Sequence, residues 1–211
     1  RLCKAPIIAI TGTNGKTTTT ALVGEIFKET QTRSYVVGNI GVPFIGMAME
    51  AQTCDVVVAE VSSFQLEAVS TFHPRVAAVL NITEDHLNRH KTMETYVDLK
   101  MRVFQNSSDS DWIILGWDDP LSRGLGYHTK GNTLYFSRKE TLDKGAWVED
   151  GWIYLNIGDI KEKVCRVQDV RMPGTHNLEN ALAAALIARI MGIELKVIEG
   201  VLKKFPGVEH R

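Results

Sequence analysis

The stretch that most constrains this chain is Ile7 to Thr20, IIAITGTNGKTTTT. Ile7, Ile8, Ala9 and Ile10 form an apolar run too short for a helix and rich in β-branched side chains, which predicts a buried strand. The run passes directly into Thr11-Gly12-Thr13-Asn14-Gly15-Lys16-Thr17, after which Ala21, Leu22, Ile26 and Phe27 return at helical spacing. A strand, a glycine-punctuated turn and a helix in that order aim backbone N–H groups and a helix N-terminus at one point, the geometry that holds a phosphate. Gly12, Thr13, Asn14 and Gly15 then form the cradle, Lys16 lies along the β- and γ-phosphates, and the hydroxyl of Thr17, followed by Thr18, faces Mg²⁺.

The loop is a short variant. The pattern G-x-x-x-x-G-K-[ST] wants glycine where Ile10 stands, and the glycine present, Gly12, lies four residues before Lys16. Glycines alone would equally fit a turn that binds nothing. A G-K-T run set between strand and helix is far more specific, and it selects phosphate binding.

Bulk properties narrow the partners. With 211 residues there is chain for one large domain or two small ones, and 24 Lys and Arg against 25 Asp and Glu leave no electrostatic footprint for nucleic acid. No apolar run approaches the ~20 residues that span a bilayer, and neither terminus resembles a targeting signal. Neither nucleic acid nor membrane is expected as a partner. Cys3, Cys54 and Cys165 are odd in number and far apart, without metal-type spacing; they are expected to be buried structural thiols in a reducing, cytoplasmic setting.

Further strands are expected at Ser34–Val37, Val56–Glu60, Val76–Leu80 and Trp112–Leu115, with a helix from Met93 to Gln105. Alternating strands and helices predict an α/β fold, a mostly parallel sheet of phosphate-loop type with helices on both faces. From Asn132 to Arg166 the strands become short, alternating and turn-separated, and Glu149-Asp150-Gly151-Trp152 reads as a tight D-G hairpin. A small antiparallel extension over about 132–166 is therefore expected within a single domain spanning 1–211. Helices over Asn177–Met191 and Lys196–Phe205 close the pattern.

In parallel sheets, ligands gather at the carboxyl ends of the strands, and the polar residues Asn39, Glu60 and His86 fall at those ends. Glu60 closes a buried strand beside the loop, where an acid would hold Mg²⁺. His86 taken alone is more readily structural than a ligand, and Lys100, mid-helix beside Tyr96, would ordinarily be solvated. Asn177 and Asn180 lie three apart at a helix start and so share a face; Asn177 reads equally as a cap or, with its neighbour, as an adenine contact.

These motifs resemble the central, ATP-binding domain of the Mur ligases, ATP-dependent amide-forming enzymes of peptidoglycan synthesis. Thr11 to Thr17 is similar to that family's own phosphate loop, which accounts for Ile10. Gly38-Asn39-Ile40-Gly41, Glu60-Val61-Ser62-Ser63-Phe64-Gln65-Leu66 and Asp85-His86-Leu87-Asn88-Arg89-His90 resemble the branch that adds D-glutamate to UDP-N-acetylmuramoyl-L-alanine. The resemblance implies ATP and two Mg²⁺ ions, with Lys16, His86 and Lys100 as catalytic residues. Thr17, Glu60, His86 and a carbamylated Lys100 become metal ligands, and Asn39 and Ser62 contact the UDP-muramoyl substrate. His176, Asn177, Asn180 and Arg211 join the nucleotide site. Family members also carry N- and C-terminal domains, so this chain is expected to be an excised middle domain that does not run the overall reaction alone. A related amide ligase, or an ATP-binding switch without ligase chemistry, would share the loop; the Glu60, His86 and Lys100 set weighs against the switch.

Overall fold

Ile8, Ala9 and Ile10 have no solvent exposure, and with Ile7 and Thr11 they form β1 (Ile7–Thr11) of the computed structural model, which describes residues 3–39, 42–85, 89 and 91–208. Ile8 and Ile10 face one core and Ile7 and Ala9 the other, so both faces of the strand are covered. The chain continues through α1 (Lys16–Lys28), β2 (Ser34–Gly38), α2 (Phe44–Ala48), β3 (Val56–Glu60), α3 (Ser63–Leu66) and β4 (Val76–Val79). Next come α4 (Met93–Met101), β5 (Trp112–Gly116), α5 (Pro120–Gly124) and β6 (Asn132–Ser137). β7 (Gly145–Glu149), β8 (Trp152–Asn156), β9 (Glu162–Arg166), α6 (Thr175–Ile190) and α7 (Leu195–Leu202) complete it.

The nine described strands form one sheet in the order β2-β3-β1-β4-β5-β6-β7-β8-β9. β3 connects to β4 across β1, and all three run parallel, so the loops leaving them open onto one crevice. One core packs α1, α6 and α7 against the sheet; the other holds Tyr96, Val103, Phe104 and Leu125. Among the described residues no helix is long and apolar enough to cross a membrane.

Three expectations need correction. The antiparallel extension is confined to 145–166: β6 runs parallel to β5 and β7 parallel to β6, and only β7-β8-β9 pair antiparallel. A parallel step normally needs a long crossover. Here the 138–144 connection suffices because β6 and β7 overlap only from Tyr135↔Gly145 to Ser137↔Trp147. The helix expected to reach Gln105 is α-helical only to Met101 and finishes in a 3₁₀ turn, Arg102–Phe104. Cys3 and Cys165 are buried free thiols as expected, but Cys54 is exposed, in the turn before β3. The short helices α2, α3 and α5 went unanticipated because four or five residues hold too little of a helical period to show in sequence.

The D-G hairpin forms as read, with positive φ at both Asp150 (50°) and Gly151 (74°), the pairing a type I′ turn requires. The face of this extension directed toward α6 and α7 carries Ile153, Leu155, Val164 and Cys165. On the other face Trp147 stacks on Tyr154 at 5.9 Å, Lys161 lies 4.2 Å above Tyr154, and Lys163 lies 3.9 Å above Trp152. The lysine side chains thus lie across the rings of that face.

Candidate functional site

The phosphate-type loop sits where the sequence places it, between β1 and α1. Gly15 holds φ at 83°, and a Cβ there would stand 2.2 Å from Asn180 Oδ1, so the loop needs glycine for both its backbone and its clearance. α1 begins at Lys16 with no side-chain cap and no first-turn acid to compete there with an anion.

Lys16 reaches back over the loop, its Nζ donating to Gly12 O (2.9 Å) and Thr13 O (2.8 Å). Burial lowers its pKa, while the carboxylates of Glu60 and Asp85 pull it back up. Thr17 and Thr18 are half-buried beside it. Glu60, at the end of β3, is only 3% exposed, and its carboxylate accepts a hydrogen bond from Asn39 Nδ2 at 3.2 Å. Asn39 N also donates to Glu60 O, so the β2 exit is tied to this acid twice. Gly38 permits that approach: a Cβ there would lie 2.0 Å from Glu60 O. Ser62 is half-buried and serves as the N-cap of α3, in a capping box with Gln65.

Lys100 is the largest departure from what its residue type alone suggests. It is 1% exposed, with its ammonium 4.5 Å above the ring of Tyr96, itself buried. Burial pushes its pKa down to about 7, the charge of Lys16 adds to that, and Asp85 opposes it. Lys16, Lys100, Asp85 and Glu60 thus occupy one electrostatic field. A lysine with a substantial neutral fraction near pH 7 is a nucleophilic amine, the form that can capture CO₂.

The donor set suits Mg²⁺. Among the described residues no group of three or more His, Cys, Asp or Glu side chains converges. A magnesium ion does not need one, because it takes one or two carboxylates together with phosphate oxygens and waters. Glu60 and the Thr17 hydroxyl offer hard oxygen donors of that kind. His86 and Arg211, assigned to the metal and nucleotide sites by resemblance, lie outside the described residues, as do Ile40, Gly41, Leu87, Asn88 and His90.

On the far side of the loop, Asn180 is buried against Gly15, accepts from Thr19 Oγ1 at 3.3 Å and donates to Asn177 Oδ1 at 3.3 Å. Asn177 in turn donates to Pro173 O at 2.7 Å. The pair therefore braces α6 against the loop. His176 is largely exposed and lies at a cavity of about 250 Å³ whose lining also includes Leu80, Gly116, Phe136, Asp118 and Arg138. The lining sets Leu80 and Phe136 among polar and charged groups that include Asn14 and Asn81 of the loop region.

Asp85, beside His86 in sequence, enters the site through its charge on Lys16 and Lys100, and Asn81, Thr83 and Tyr96 join it without any motif that marks them. For Tyr96 the available signal was its position one turn before Lys100 on the same helix face. Asn81 and Thr83 lie in irregular backbone, where spacing says nothing about contacts.

The fold and this loop define an α/β domain built around a phosphate-type loop. The chain belongs to the family described as the Mur ligase middle domain, whose model matches residues 10–188. It is 51% identical over 211 residues to the UDP-N-acetylmuramoylalanine–D-glutamate ligase of Caldanaerobacter subterraneus subsp. tengcongensis, covering 100% of this chain and 46% of that protein. It is 50% identical, with the same coverage, to the enzyme of that name from Thermoanaerobacter sp.. The chain therefore spans about half the length of the curated relatives it matches. A crystal structure of MurF from Acinetobacter baumannii has the same fold, with a TM-score of 0.73 over 98% of this chain and 47% of its own, at 19% identity.

Proposed function

We propose that this chain binds Mg·ATP and forms the nucleotide-binding part of an amide ligase that joins D-glutamate to UDP-N-acetylmuramoyl-L-alanine in peptidoglycan synthesis. The observation that carries the reading is the cluster of Lys16, Glu60 and buried Lys100 around an uncapped helix start. The name of the relatives, of whose length this chain spans about half, supplies the substrates. A cytoplasmic setting goes with that reading, as do further domains of the same enzyme.

In this proposal the L-alanyl carboxylate attacks the γ-phosphorus of ATP and ADP leaves. The D-glutamate amine then attacks the resulting acyl-phosphate, and inorganic phosphate departs. Mg²⁺, when bound, neutralises charge on the transferring phosphoryl group. Lys16 releases the carbonyls of Gly12 and Thr13 and turns its ammonium to the phosphate oxygens. The loop N–H groups fix the phosphates in line. Glu60, aimed by Asn39, and the Thr17 hydroxyl would hold one ion, and carbamylated Lys100 would supply oxygen donors to a second, with His86 its nitrogen donor by resemblance. Asn39 and Ser62, at the exits of β2 and β3, face the UDP-muramoyl substrate. His176, Asn177, Asn180 and Arg211 bound the adenosine side.

Calorimetric titration of Mg·ATP tests the reading. Saturable, Mg²⁺-dependent binding is expected, weakened roughly 10- to 150-fold in Lys16→Ala, the loss of one charged hydrogen-bonding group worth about 1.5–3 kcal/mol. Absence of binding in a folded sample would overturn it for this chain.

A further inference from the structure

The tip of the phosphate loop is held from outside the loop. β1 and β4 pair in parallel, and the pairing continues beyond both strands: Leu80 N donates to Thr11 O at 3.0 Å, and Thr13 N donates to Asn81 O at 2.9 Å. At the next position the partner of Asn14 is no longer backbone. The carboxamide of Asn81 takes its place. Asn14 N donates to Asn81 Oδ1 at 2.8 Å, and Asn81 Nδ2 donates to Asn14 O at 3.2 Å. A side-chain amide carries the same donor and acceptor as a peptide group, so it adds one more rung to the ladder.

Other amino acids fit this position poorly. Aspartate lacks the donor for Asn14 O, glutamine sets the amide one methylene further out, and alanine supplies neither group. Thr83 N donates to Thr13 Oγ1 at 3.0 Å, so the same exit loop, which runs on to Asp85, grips the preceding residue as well. Asn14 is itself exposed, and without the rung both its backbone groups would turn to water. The loop tip would then sample conformations in which its N–H groups no longer converge.

We propose that Asn81 is a positioning residue for nucleotide binding: its carboxamide pairs in both directions with the Asn14 backbone and presets the phosphate-loop tip before the phosphates arrive. The inference rests on the nucleotide-site reading above. Asn81 acts through the loop; preorganisation of the N–H groups removes an ordering cost from the binding step.

The test uses Asn81→Ala, with Asn81→Ser as a second variant whose side chain is too short to reach both Asn14 groups. Two readouts are taken, Mg·ATP affinity by calorimetry and hydrogen exchange at the Asn14 amide. The expected result is roughly tenfold weaker binding, about 1.4 kcal/mol, and at least roughly tenfold faster Asn14 exchange, the same free energy read as loss of protection. Leu80 protection should hold, and Tm should fall by no more than about 4 °C. A purely structural role would lower Tm and leave the affinity of the folded fraction unchanged. If Asn81→Ala fails to fold, Asn81→Ser decides. If the wild type binds and Lys16→Ala binds at least roughly tenfold more weakly, while the Asn81 variants bind within twofold of wild type or keep Asn14 protected, this inference alone falls. If the folded wild type does not bind Mg·ATP, the nucleotide reading fails and the positioning role falls with it.

Discussion

Single residues show most plainly how environment overrides type. Lys100 and Lys16 are both lysines near acids, yet the first is buried beneath the sheet end and the second remains half-exposed over its loop. Away from the crevice, Asp111 makes the opposite point. It is buried at the start of β5, where burial alone would raise its pKa, but hydrogen bonds from His73 and Ser108 outweigh that and hold it below its ordinary value of 3.8. His73 Nε2 stands 2.6 Å from Asp111 Oδ2, and Arg75 Nη1 lies 3.6 Å from Oδ1. A carboxyl with a depressed folded-state pKa contributes stability that is complete above the unfolded value and is lost as pH falls through the folded one. Urea denaturation of the wild type should therefore show stability dropping as pH falls below about 4. In Asp111→Asn that drop should be shallower, and an equal slope would show that the carboxylate is not the group responsible.

At the scale of elements, the chain's own local chemistry accounts for most boundaries. The β7–β8 hairpin is set by two positive-φ residues, and Gly151 meets nothing within 4 Å of a built Cβ, so its requirement is purely conformational. Gly151→Val should cost about 1–2 kcal/mol in equilibrium denaturation, from forcing a β-branched side chain into the left-handed region. Gly151→Asn should cost much less, because asparagine tolerates that region. The loop and α1 were legible because G-K-T between a strand and a helix has few other meanings. Where β6 would pair was not legible. Asn132 to Ser137 alternates like an antiparallel strand, and only the stagger of β7 makes a parallel step geometrically cheap.

The whole molecule is two cores sharing one sheet. Because β1, β4 and β5 contribute side chains to both, neither core can come apart without exposing the other. Leu186, fully buried on α6, belongs to only one of them. Leu186→Ala should nonetheless lower the stability of the entire chain by about 2–5 kcal/mol. Tryptophan fluorescence, from Trp112 and Trp117 as well as Trp147 and Trp152, should remain coincident with far-UV circular dichroism through a single transition. Separated transitions would show that the antiparallel extension unfolds as its own unit.

What the sequence determined by itself was local in origin: the phosphate loop, the D-G hairpin, the buried β-strands, and the placing of Glu60 and Asn39 at strand ends. Each depends on the conformational preference or polarity of a few adjacent residues, which is the information a short stretch carries. The tertiary structure alone decided that Lys100 is buried beside Lys16, that Asn180 packs against Gly15, and that Asn81 completes the β1–β4 ladder at Asn14. Those contacts join residues tens to more than a hundred positions apart. Their energies come from desolvation and hydrogen-bond satisfaction, which no local pattern encodes.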